Sequence, residues 1–356
     1  MGVGRGVESP PWRHLHEAFW QSRRLGIVRT DHLGDMVLTL PMALAVRELR
    51  PETHVIVFAH PRTAPLVDDA LGVTAVFVES AAELYQALQN WKPEVLFFPR
   101  PLFSEARAAW RAGVPYRVGS GYRWYSWLFT HRMYEHRRTA ERHEAEYNVQ
   151  MVAYAAGKAV SVRLAAPRVE ERAFQQVSQL LRRCGLRTRE FVVLHPGGRG
   201  SAPRWGTSSF AALARQLEEE GVPCIFTGTA AEAGIAQAIQ QSYPKARLLF
   251  GMLDTREFIA LLAQARIVVA NSTGALHIAA ALGVPVVGLY SLEPPHHPRR
   301  WGPYAGHTIV LTPPVEQPPA AVWAIPVEQV YRAVVELWSL SLVSRTAARD
   351  DLRVVG

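Results

Sequence analysis

The chain has 356 residues, of which 49% are hydrophobic, and it carries a net charge of +8 with a pI near 9.8. This length predicts two domains with separate cores, and the charge favours anionic partners without choosing among nucleotide sugars, anionic lipids and nucleic acid. The two distant cysteines, Cys184 and Cys224, argue against a disulfide framework or a cysteine zinc site, and no stretch reads as a secretory signal or a transmembrane helix.

The first half of the chain alternates strand and helix patterns. The predicted elements are strand 25–29, helix 36–49 with a kink at Pro41, strands 54–59 and 75–78, helix 82–90, strand 95–98, helix 103–112, strand 116–119 and helix 142–156. Alternation of this kind predicts a parallel sheet with helices on both faces.

The second half repeats the alternation after a linker. The predicted elements are helix 170–184, strand 191–194, helix 208–220, strand 223–226, helix 232–242, strand 247–249, helix 255–263, strand 267–270, helix 275–282, strand 286–290 and helix 327–340. We therefore expect an N-terminal extension (1–24), a first domain (25–160), a linker (161–169), a second domain (170–326) and a C-terminal helix with a tail (327–356). Two doubly wound α/β domains predict a ligand site beyond the carboxyl ends of the strands, in a cleft between the domains.

The most informative stretch is RIVVANSTGALHIAAALGVPVVGLY at 266–290, which reads as strand, polar turn, helix and strand. A helix that begins just after Ser272, Thr273 and Gly274 offers amide N–H groups and the positive end of its dipole to a phosphate. His277 in the first turn adds a donor. In the alternative interpretation this is an ordinary crossover, and His277 only satisfies a carbonyl.

Gly34 and Asp35 lie at the first strand-to-helix turn. A carboxylate there could take a proton from an acceptor hydroxyl. Acidic residues are also common in a first helical turn because they suit the helix dipole, so this alternative stays open.

Loops of the second half carry further polar candidates. The sequence HPGGRG at 195–200 follows a strand, and its glycines, Gly197 and Gly198, would let backbone amides approach a phosphate. Arg204 supplies a cation before the next helix. Glu232 could bind a ribose diol, or it could only stabilise the first turn of its helix.

Nine arginines between residues 100 and 142 are mixed with aromatic residues. This pattern is compatible with single-stranded nucleic acid, with a membrane interface, or with a partly buried helical region that has a solvated basic face. The chain has no DxD motif and no metal-ligand spacing, so we expect a metal-independent reaction without a cofactor.

Four stretches occur in the order known from one family. They are IVRTDHLGDMVLTLPMALAVRELRPETHVIVFAHPRTAPLV, RVGSGYRW…LFTHRM with HEAEYN, VVLHPGGRGSAPRWGTSSFAALARQL, and NSTGALHIAAALGVPVVGLYS. From about residue 25 to 340 the chain resembles the heptosyltransferase-like glycosyltransferases of lipopolysaccharide core synthesis, glycosyltransferase family 9. The resemblance implies the GT-B architecture of two facing Rossmann-like domains.

The resemblance also implies roles for single residues. Asp35 matches the proposed general base; Gly197 and Gly198 match the loop beside the donor phosphates; Glu232 matches the ribose-contacting acid; Leu253 matches the residue whose backbone flanks the base; and Thr273, Gly274 and His277 match the turn that contacts pyrophosphate and sugar. Gly34, Arg62 and Arg132 are candidates for the acceptor side.

The chain departs from the family at two positions. Ser272 stands where the family usually has Asp, and Arg204 is the nearest cation to the family's usual Lys before Trp. These changes leave phosphate binding intact as an expectation and put the identity of the donor sugar in doubt.

The resemblance implies an inverting transferase that moves a heptose from a nucleotide-diphosphate sugar, with ADP-heptose first, to an anionic glycolipid. It implies a cytoplasmic protein in peripheral contact with the inner face of the inner membrane, with neither nucleic acid nor a required protein partner. The alternatives are a hexosyltransferase of the same fold acting on another cell-surface glycan, motivated by Ser272, and a non-catalytic nucleotide-sugar-binding protein.

Overall fold

The computed structural model of the chain describes residues 11–67, 71–198, 202–304 and 307–350. The strands are β1 (Arg24–Arg29), β2 (His54–Ala59), β3 (Val73–Phe77), β4 (Val95–Phe97), β5 (Tyr116–Ser120), β6 (His131–Met133), β7 (Val192–His195), β8 (Cys224–Gly228), β9 (Leu248–Phe250), β10 (Ile267–Asn271), β11 (Val286–Leu289) and β12 (Thr308–Leu311). The helices are α1 (Pro11–Gln21), α2 (Leu33–Val37), α3 (Leu40–Leu49), α4 (Ala81–Trp91), α5 (Phe103–Arg111), α6 (Glu144–Ala156), α7 (Glu171–Arg183), α8 (Thr207–Glu219), α9 (Ala233–Ser242), α10 (Thr255–Gln264), α11 (Gly274–Ala281), α12 (Pro298–Trp301) and α13 (Val327–Asp350).

The chain divides into two compact units. The first comprises Met1–Arg137 and Glu144–Ala165, and the second comprises Arg138–His143 and Ala166–Gly356. The short excursion of Arg138–His143 into the second unit was not foreseen from the sequence, because nothing in its composition separates it from its neighbours.

Each unit has its own parallel six-stranded sheet. The first sheet has the order β3-β2-β1-β4-β5-β6, and the second has the order β12-β11-β10-β7-β8-β9. Numbered from its first strand, each sheet has the order of a doubly wound nucleotide-binding fold. The predicted fold class is confirmed.

The central strands are buried on both faces, because helices cover both. Every residue of β10 is buried, and so is every residue of β11. Continuous apolar runs such as these are typical of parallel sheets. Polar side chains are therefore concentrated in the loops that follow the strands.

Several boundaries differ from the predicted ones. Pro41 does not kink one long helix; α2 ends at Val37 and α3 begins at Leu40, so that Pro41 lies in a first turn, where its missing N–H costs no hydrogen bond. Strands β6 and β12 were not predicted, and α13 continues beyond the predicted end at 340. The end of the tail (351–356) lies outside the described residues.

The N-terminal extension contains a helix that packs on the first unit. Leu15 and Phe19 of α1 are fully buried. The indole N–H of Trp20 donates to the Ala156 carbonyl at 2.9 Å, which fastens α1 to the end of α6. Among the described residues, no helix is both long and apolar enough to cross a membrane.

Candidate functional site

The polar loops lie where the strand order of each sheet reverses. In the second unit β7 and β10 are neighbours, and the chain leaves them toward opposite sides of the sheet. Loops at such a switch point diverge and leave a crevice in which doubly wound folds bind nucleotides. The predicted glycine-rich loop follows β7, and the predicted phosphate turn follows β10, so the structure places both at this point.

Asn271 fastens these two loops to each other. Its Oδ1 accepts from the Trp205 amide at 2.8 Å, and its Nδ2 donates to the Pro196 carbonyl at 2.8 Å. The indole of Trp205 is buried and donates to the Ile325 carbonyl at 2.8 Å. Asn271 was expected only as part of the polar turn at 266–290, and Trp205 was not predicted as an anchor, although a Trp in a polar loop was a signal.

Glu232 holds the glycine loop. Its carboxylate accepts from the Gly198 amide at 2.9 Å and from the Thr229 amide at 2.7 Å. Burial raises the pKa of Glu232, but these hydrogen bonds outweigh it and the pKa is lowered overall, so the group is ionised at neutral pH. A Cβ on Gly197 would lie 2.2 Å from the Glu232 Oε1, so any larger residue there must displace this carboxylate.

The structure confirms the alternative prediction that Glu232 stabilises a helical turn, while its contact with a ribose stays a prediction. Glu232 forms a capping box with Thr229 in a short 3₁₀ turn before α9. One carboxylate therefore caps a turn and positions a loop. Arg199 and Gly200, the last residues of the predicted HPGGRG loop, lie outside the described residues.

Thr273, Gly198 and Arg204 come together at the start of α11. A Cβ on Gly198 would lie 3.0 Å from the Thr273 Cγ2 and 3.7 Å from the Arg204 Cδ. The Arg204 guanidinium donates to the Gly198 carbonyl at 3.3 Å and is otherwise exposed. Gly274 is the first residue of α11, with Thr273 at its N-cap.

Two buried polar atoms at this helix end have no hydrogen-bond partner among the described residues. They are the Thr273 Oγ1 and the His277 Nδ1. Burial, with a smaller contribution from His143, lowers the pKa of His277 to about 3, so its ring is neutral at pH 7. Buried polar atoms are nearly always paired, so this pair is typical of a ligand site. It argues against a His277 that is fully satisfied by the fold.

Ser272 has a hydrogen-bond partner within the fold, unlike the atoms of Thr273 and His277 that are unpartnered among the described residues. Its side chain hydrogen-bonds the Tyr290 hydroxyl, which donates to the Trp301 carbonyl at 2.7 Å. Ser272 thus brings a neutral group to the position of the family's usual acid.

The remaining donor candidate, Leu253, is half-buried and follows β9, which β7 and β8 separate from β10. Its loop meets that of Glu232, since the Gly251 amide donates to the Gly228 carbonyl at 2.9 Å.

Asp35 of the first unit is paired with a buried arginine. The guanidinium of Arg29 donates to the Asp31 Oδ1 at 2.6 Å and to the Asp35 Oδ1 at 2.5 Å. The Arg29 side chain is only 2% exposed, and its Nη1 has no partner among the described residues. Sequence reasoning placed Arg29 inside a strand and missed it; its signal is a charge at the last position of an otherwise apolar strand.

The electrostatics around Asp35 favour a weak acid. Burial is the largest effect and raises the pKa of Asp35, while the Arg29 guanidinium lowers it and the carboxylates of Asp31 and Glu144 raise it again. The net pKa is above the ordinary value, which suits a general base that works near neutral pH.

The three acceptor-side candidates, Gly34, Arg62 and Arg132, lie at different distances from Asp35 within the first unit. Gly34 directly precedes it and is buried. Arg62 is exposed in a 3₁₀ turn that packs against α2, and its guanidinium donates to the His60 ring at 3.0 Å. Arg132 is exposed in β6, and β4 and β5 separate that strand from β1, a span of about 14 Å.

Among the described residues, no group of three or more His, Cys, Asp or Glu side chains could hold a metal ion.

Known proteins of one family resemble this chain. The profile of glycosyltransferase family 9 (heptosyltransferase) matches residues 83–321. A Haemophilus influenzae protein described provisionally as a glycosyltransferase is 24% identical over 295 residues, covering 78% of this chain and 85% of that protein. Lipopolysaccharide heptosyltransferase 2 of Escherichia coli is 34% identical over 113 residues, covering 30% of this chain and 32% of the relative.

A solved structure agrees with the fold. Escherichia coli ADP-heptose lps heptosyltransferase II superposes with a TM-score of 0.75 at 20% identity, covering 89% of this chain and 99% of the other. At this identity the likeness concerns the fold, and it agrees with the predicted GT-B class.

Proposed function

The chain belongs to glycosyltransferase family 9 and is a heptosyltransferase-like glycosyltransferase, and from that premise we propose that it moves a heptose or a related sugar from a nucleotide-diphosphate sugar to a glycolipid. ADP-heptose is the first candidate donor, and a lipopolysaccharide core is the first candidate acceptor. The names of the E. coli relative and of the solved heptosyltransferase support both choices. We propose a cytoplasmic protein that works at the inner face of the inner membrane, without nucleic acid or a required protein partner.

The observation that carries the donor site is the pair of unpartnered buried atoms at the start of α11. The Thr273 hydroxyl and the His277 Nδ1 lie where a helix N-terminus already favours an anion. Arg204 and the glycine loop flank the same point. A diphosphate would satisfy these groups, and Glu232 would accept hydrogen bonds from the ribose.

The proposed chemistry is an in-line displacement with inversion. The acceptor oxygen attacks the anomeric carbon, the bond from that carbon to the diphosphate oxygen breaks, and Asp35 takes the proton of the acceptor hydroxyl. Arg29 orients the Asp35 carboxylate and keeps it ionised more readily than burial alone would.

The leaving diphosphate carries growing negative charge. In the proposal, Arg204 supplies a positive charge and the amides of α11 supply their dipole, while His277 donates through a neutral ring because its pKa is lowered to about 3. These donors support transfer without a metal ion, which addition of a chelator during turnover tests.

A donor titration without added metal tests the proposal. Calorimetry with ADP-heptose, ADP, UDP, GDP and hexose conjugates should show selective binding of one nucleotide sugar, and His277→Gln should weaken it. The matched control is His307→Gln, an exposed histidine of the same unit. If no nucleotide sugar binds, or if both variants behave alike, the donor site is wrongly placed.

The catalytic role of Asp35 has a separate test. Asp35→Asn should lower kcat by about 10²–10⁴-fold, the usual contribution of a general base, while donor affinity is unchanged. Undiminished turnover of the variant would show that Asp35 is not the general base.

Ser272 supports a second candidate, a hexosyltransferase of the same fold. A serine offers the donor sugar no carboxylate. Its hydroxyl is also already hydrogen-bonded to Tyr290. Preference for a hexose conjugate in the same titration would support this candidate and keep the mechanism.

A further inference from the structure

The outward face of α5 carries aromatic side chains and arginines. Phe103, Arg107, Trp110 and Arg111 are all exposed, and their spacing of four, three and one places them on one side of the helix. The alanines between them are buried. An outer helix face is usually polar, so two large aromatic rings here need an explanation.

Two tryptophans of the β5–β6 connection extend this face. Trp124 is 74% exposed and its ring lies 4.7 Å from that of Phe103; Trp127 is 57% exposed and its ring lies 6.1 Å from that of Trp110. Each end of α5 is thus covered by an aromatic pair that reaches into solvent. We refer to Phe103, Arg107, Trp110, Arg111, Arg123, Trp124 and Trp127 as the α5 face.

The charge of this segment has one sign. From residue 106 to residue 134 the sequence contains five arginines and no acidic residue. One of them, Arg117, turns inward and donates to the Leu128 carbonyl at 2.7 Å. The other four, Arg107, Arg111, Arg123 and Arg132, are exposed.

An apolar groove continues the surface. A cavity of about 720 Å³ runs between α4 and α5. Its lining combines Phe77, Val78, Tyr85, Trp91 and Phe103 with Arg107 and Arg111. Phe77 is itself exposed. The aromatic residues therefore belong to a continuous amphipathic surface.

We propose that the α5 face docks onto an anionic phospholipid bilayer. Tryptophan prefers the headgroup level of a bilayer, and arginines beside it attract anionic lipids; stable peripheral binding takes two such signals. A single-stranded nucleic acid would need open ring faces for stacking. Trp110 and Trp127 instead meet edge to face, with 76° between their ring planes, so they form a compact apolar surface rather than a row of parallel stacking faces. This arrangement favours insertion into a headgroup layer.

The α5 face is connected to the loop that precedes the helix of the general-base candidate. Glu105, on the buried side of α5, accepts a hydrogen bond from the Thr30 hydroxyl, and Thr30 lies in the loop between β1 and α2, the helix that carries Asp35. A bilayer held at this face would therefore bring a membrane-embedded acceptor to the unit that holds Asp35. The inference concerns the bilayer alone and does not depend on the donor.

Vesicle co-sedimentation of the full chain without sugar nucleotide tests the proposal. We expect binding to vesicles of phosphatidylcholine mixed with phosphatidylglycerol, weaker binding as salt rises, and little binding to phosphatidylcholine alone. The double variant Arg107→Glu/Arg111→Glu should lose binding by roughly twenty-five-fold or more, since each arginine near an anionic surface contributes about fivefold. Trp124→Ser/Trp127→Ser should also release the protein.

Matched controls exist in the second unit. Trp323→Ser removes a tryptophan that is 62% exposed, and Arg182→Glu/Arg183→Glu reverses two exposed arginines of α7. Both controls should bind vesicles like the parent. Equal losses in the controls, no preference for anionic vesicles, or displacement from vesicles by a single-stranded oligonucleotide at lower concentration would overturn the proposal; donor titration of each variant would show separately whether the sugar-nucleotide site is intact.

Discussion

At the scale of single residues, the first unit depends on a buried arginine between two carboxylates. Arg29 ends β1 with its side chain out of water, which is tolerated because Asp31 and Asp35 pair with it. Its positive charge also opposes the effect of burial on the pKa of Asp35. Arg29 is thus a positioning residue whose loss should change the acid strength of its neighbour.

Replacing Arg29 should move the pH profile in a known direction. Arg29→Gln removes the charge that lowers the pKa of Asp35, so the pKa rises further and the acidic limb of kcat/KM moves to higher pH. Arg29→Lys keeps the positive charge. The acidic limb of its kcat/KM profile should therefore stay near its original pH, while the value of kcat/KM is reduced.

The control for Arg29 is Arg24→Gln in the same strand, whose partner Glu94 lies at the surface. The measurement is kcat/KM against pH for all three variants. An unmoved limb in Arg29→Gln would contradict the coupling to Asp35.

Gly197 gives a second prediction at this scale. Gly197→Ala places a methyl group 2.2 Å from the Glu232 Oε1, so the carboxylate must leave the Gly198 amide. We expect donor affinity to fall by about tenfold, or ~1.4 kcal/mol, measured by calorimetry. Gly234→Ala in α9, where a Cβ meets open space, should leave affinity unchanged; a similar loss there would remove the steric explanation.

At the scale of elements, the donor-site candidate depends on how two loops of one sheet are joined. Asn271 ends β10 and bonds both ends of the loop that follows β7. Asn271→Ala would leave the Trp205 amide and the Pro196 carbonyl buried without their partner. We expect a loss of roughly 2–6 kcal/mol in unfolding free energy, since each of the two groups costs about 1–3 kcal/mol.

Urea denaturation measures this loss, with Asn90→Ala on the exposed end of α4 as the control. Donor binding should weaken in Asn271→Ala even under conditions where the protein is folded. A stable variant with normal donor binding would show that the two loops are held by other contacts.

Local sequence patterns predicted most helices and strands, but they did not predict the contacts between residues that are distant in sequence. The β-branched run of Thr308–Leu311 obeys the same rule as the predicted strands and was overlooked, whereas β6 has only three residues with a charged one among them, too short for any period. Gly197, Glu232 and Thr273 could be proposed as site residues because glycine and polar residues after strands have local meanings. The roles of Arg29 and Trp205 were missed although each residue had a local signal, since these roles arise from contacts between residues distant in sequence or from burial.

At the scale of the whole molecule, buried neutral histidines tie stability to pH. Burial lowers the pKa of His195 to about 4 and that of His277 to about 3, against 6.5 for an exposed group. Below pH 6.5 the unfolded chain therefore binds more protons than the folded chain. The contribution of the two neutral rings to the free energy of unfolding is complete above pH 6.5, and it is lost as the pH falls toward their folded-state pKa values.

The melting temperature should consequently fall between pH 6.5 and pH 5, before ordinary carboxylates titrate. The double variant His195→Gln/His277→Gln should show a flatter dependence over that window, while His307→Gln, which changes an exposed ring, should follow the parent. An identical slope in all three proteins would mean that other groups cause the acid sensitivity.

Because Arg138–His143 belongs to the second unit, that unit cannot be expressed whole as one continuous C-terminal fragment beginning at Ala166. The His143 ring bonds the Gly302 carbonyl at 2.8 Å, a contact between residues 159 positions apart. A fragment that begins at Ala166 would contain the second sheet but would lack these six residues, and with them the neighbour of His277. During synthesis, likewise, the segment leaves the ribosome long before its docking partner exists, so it can take its place only when nearly the whole chain has been made.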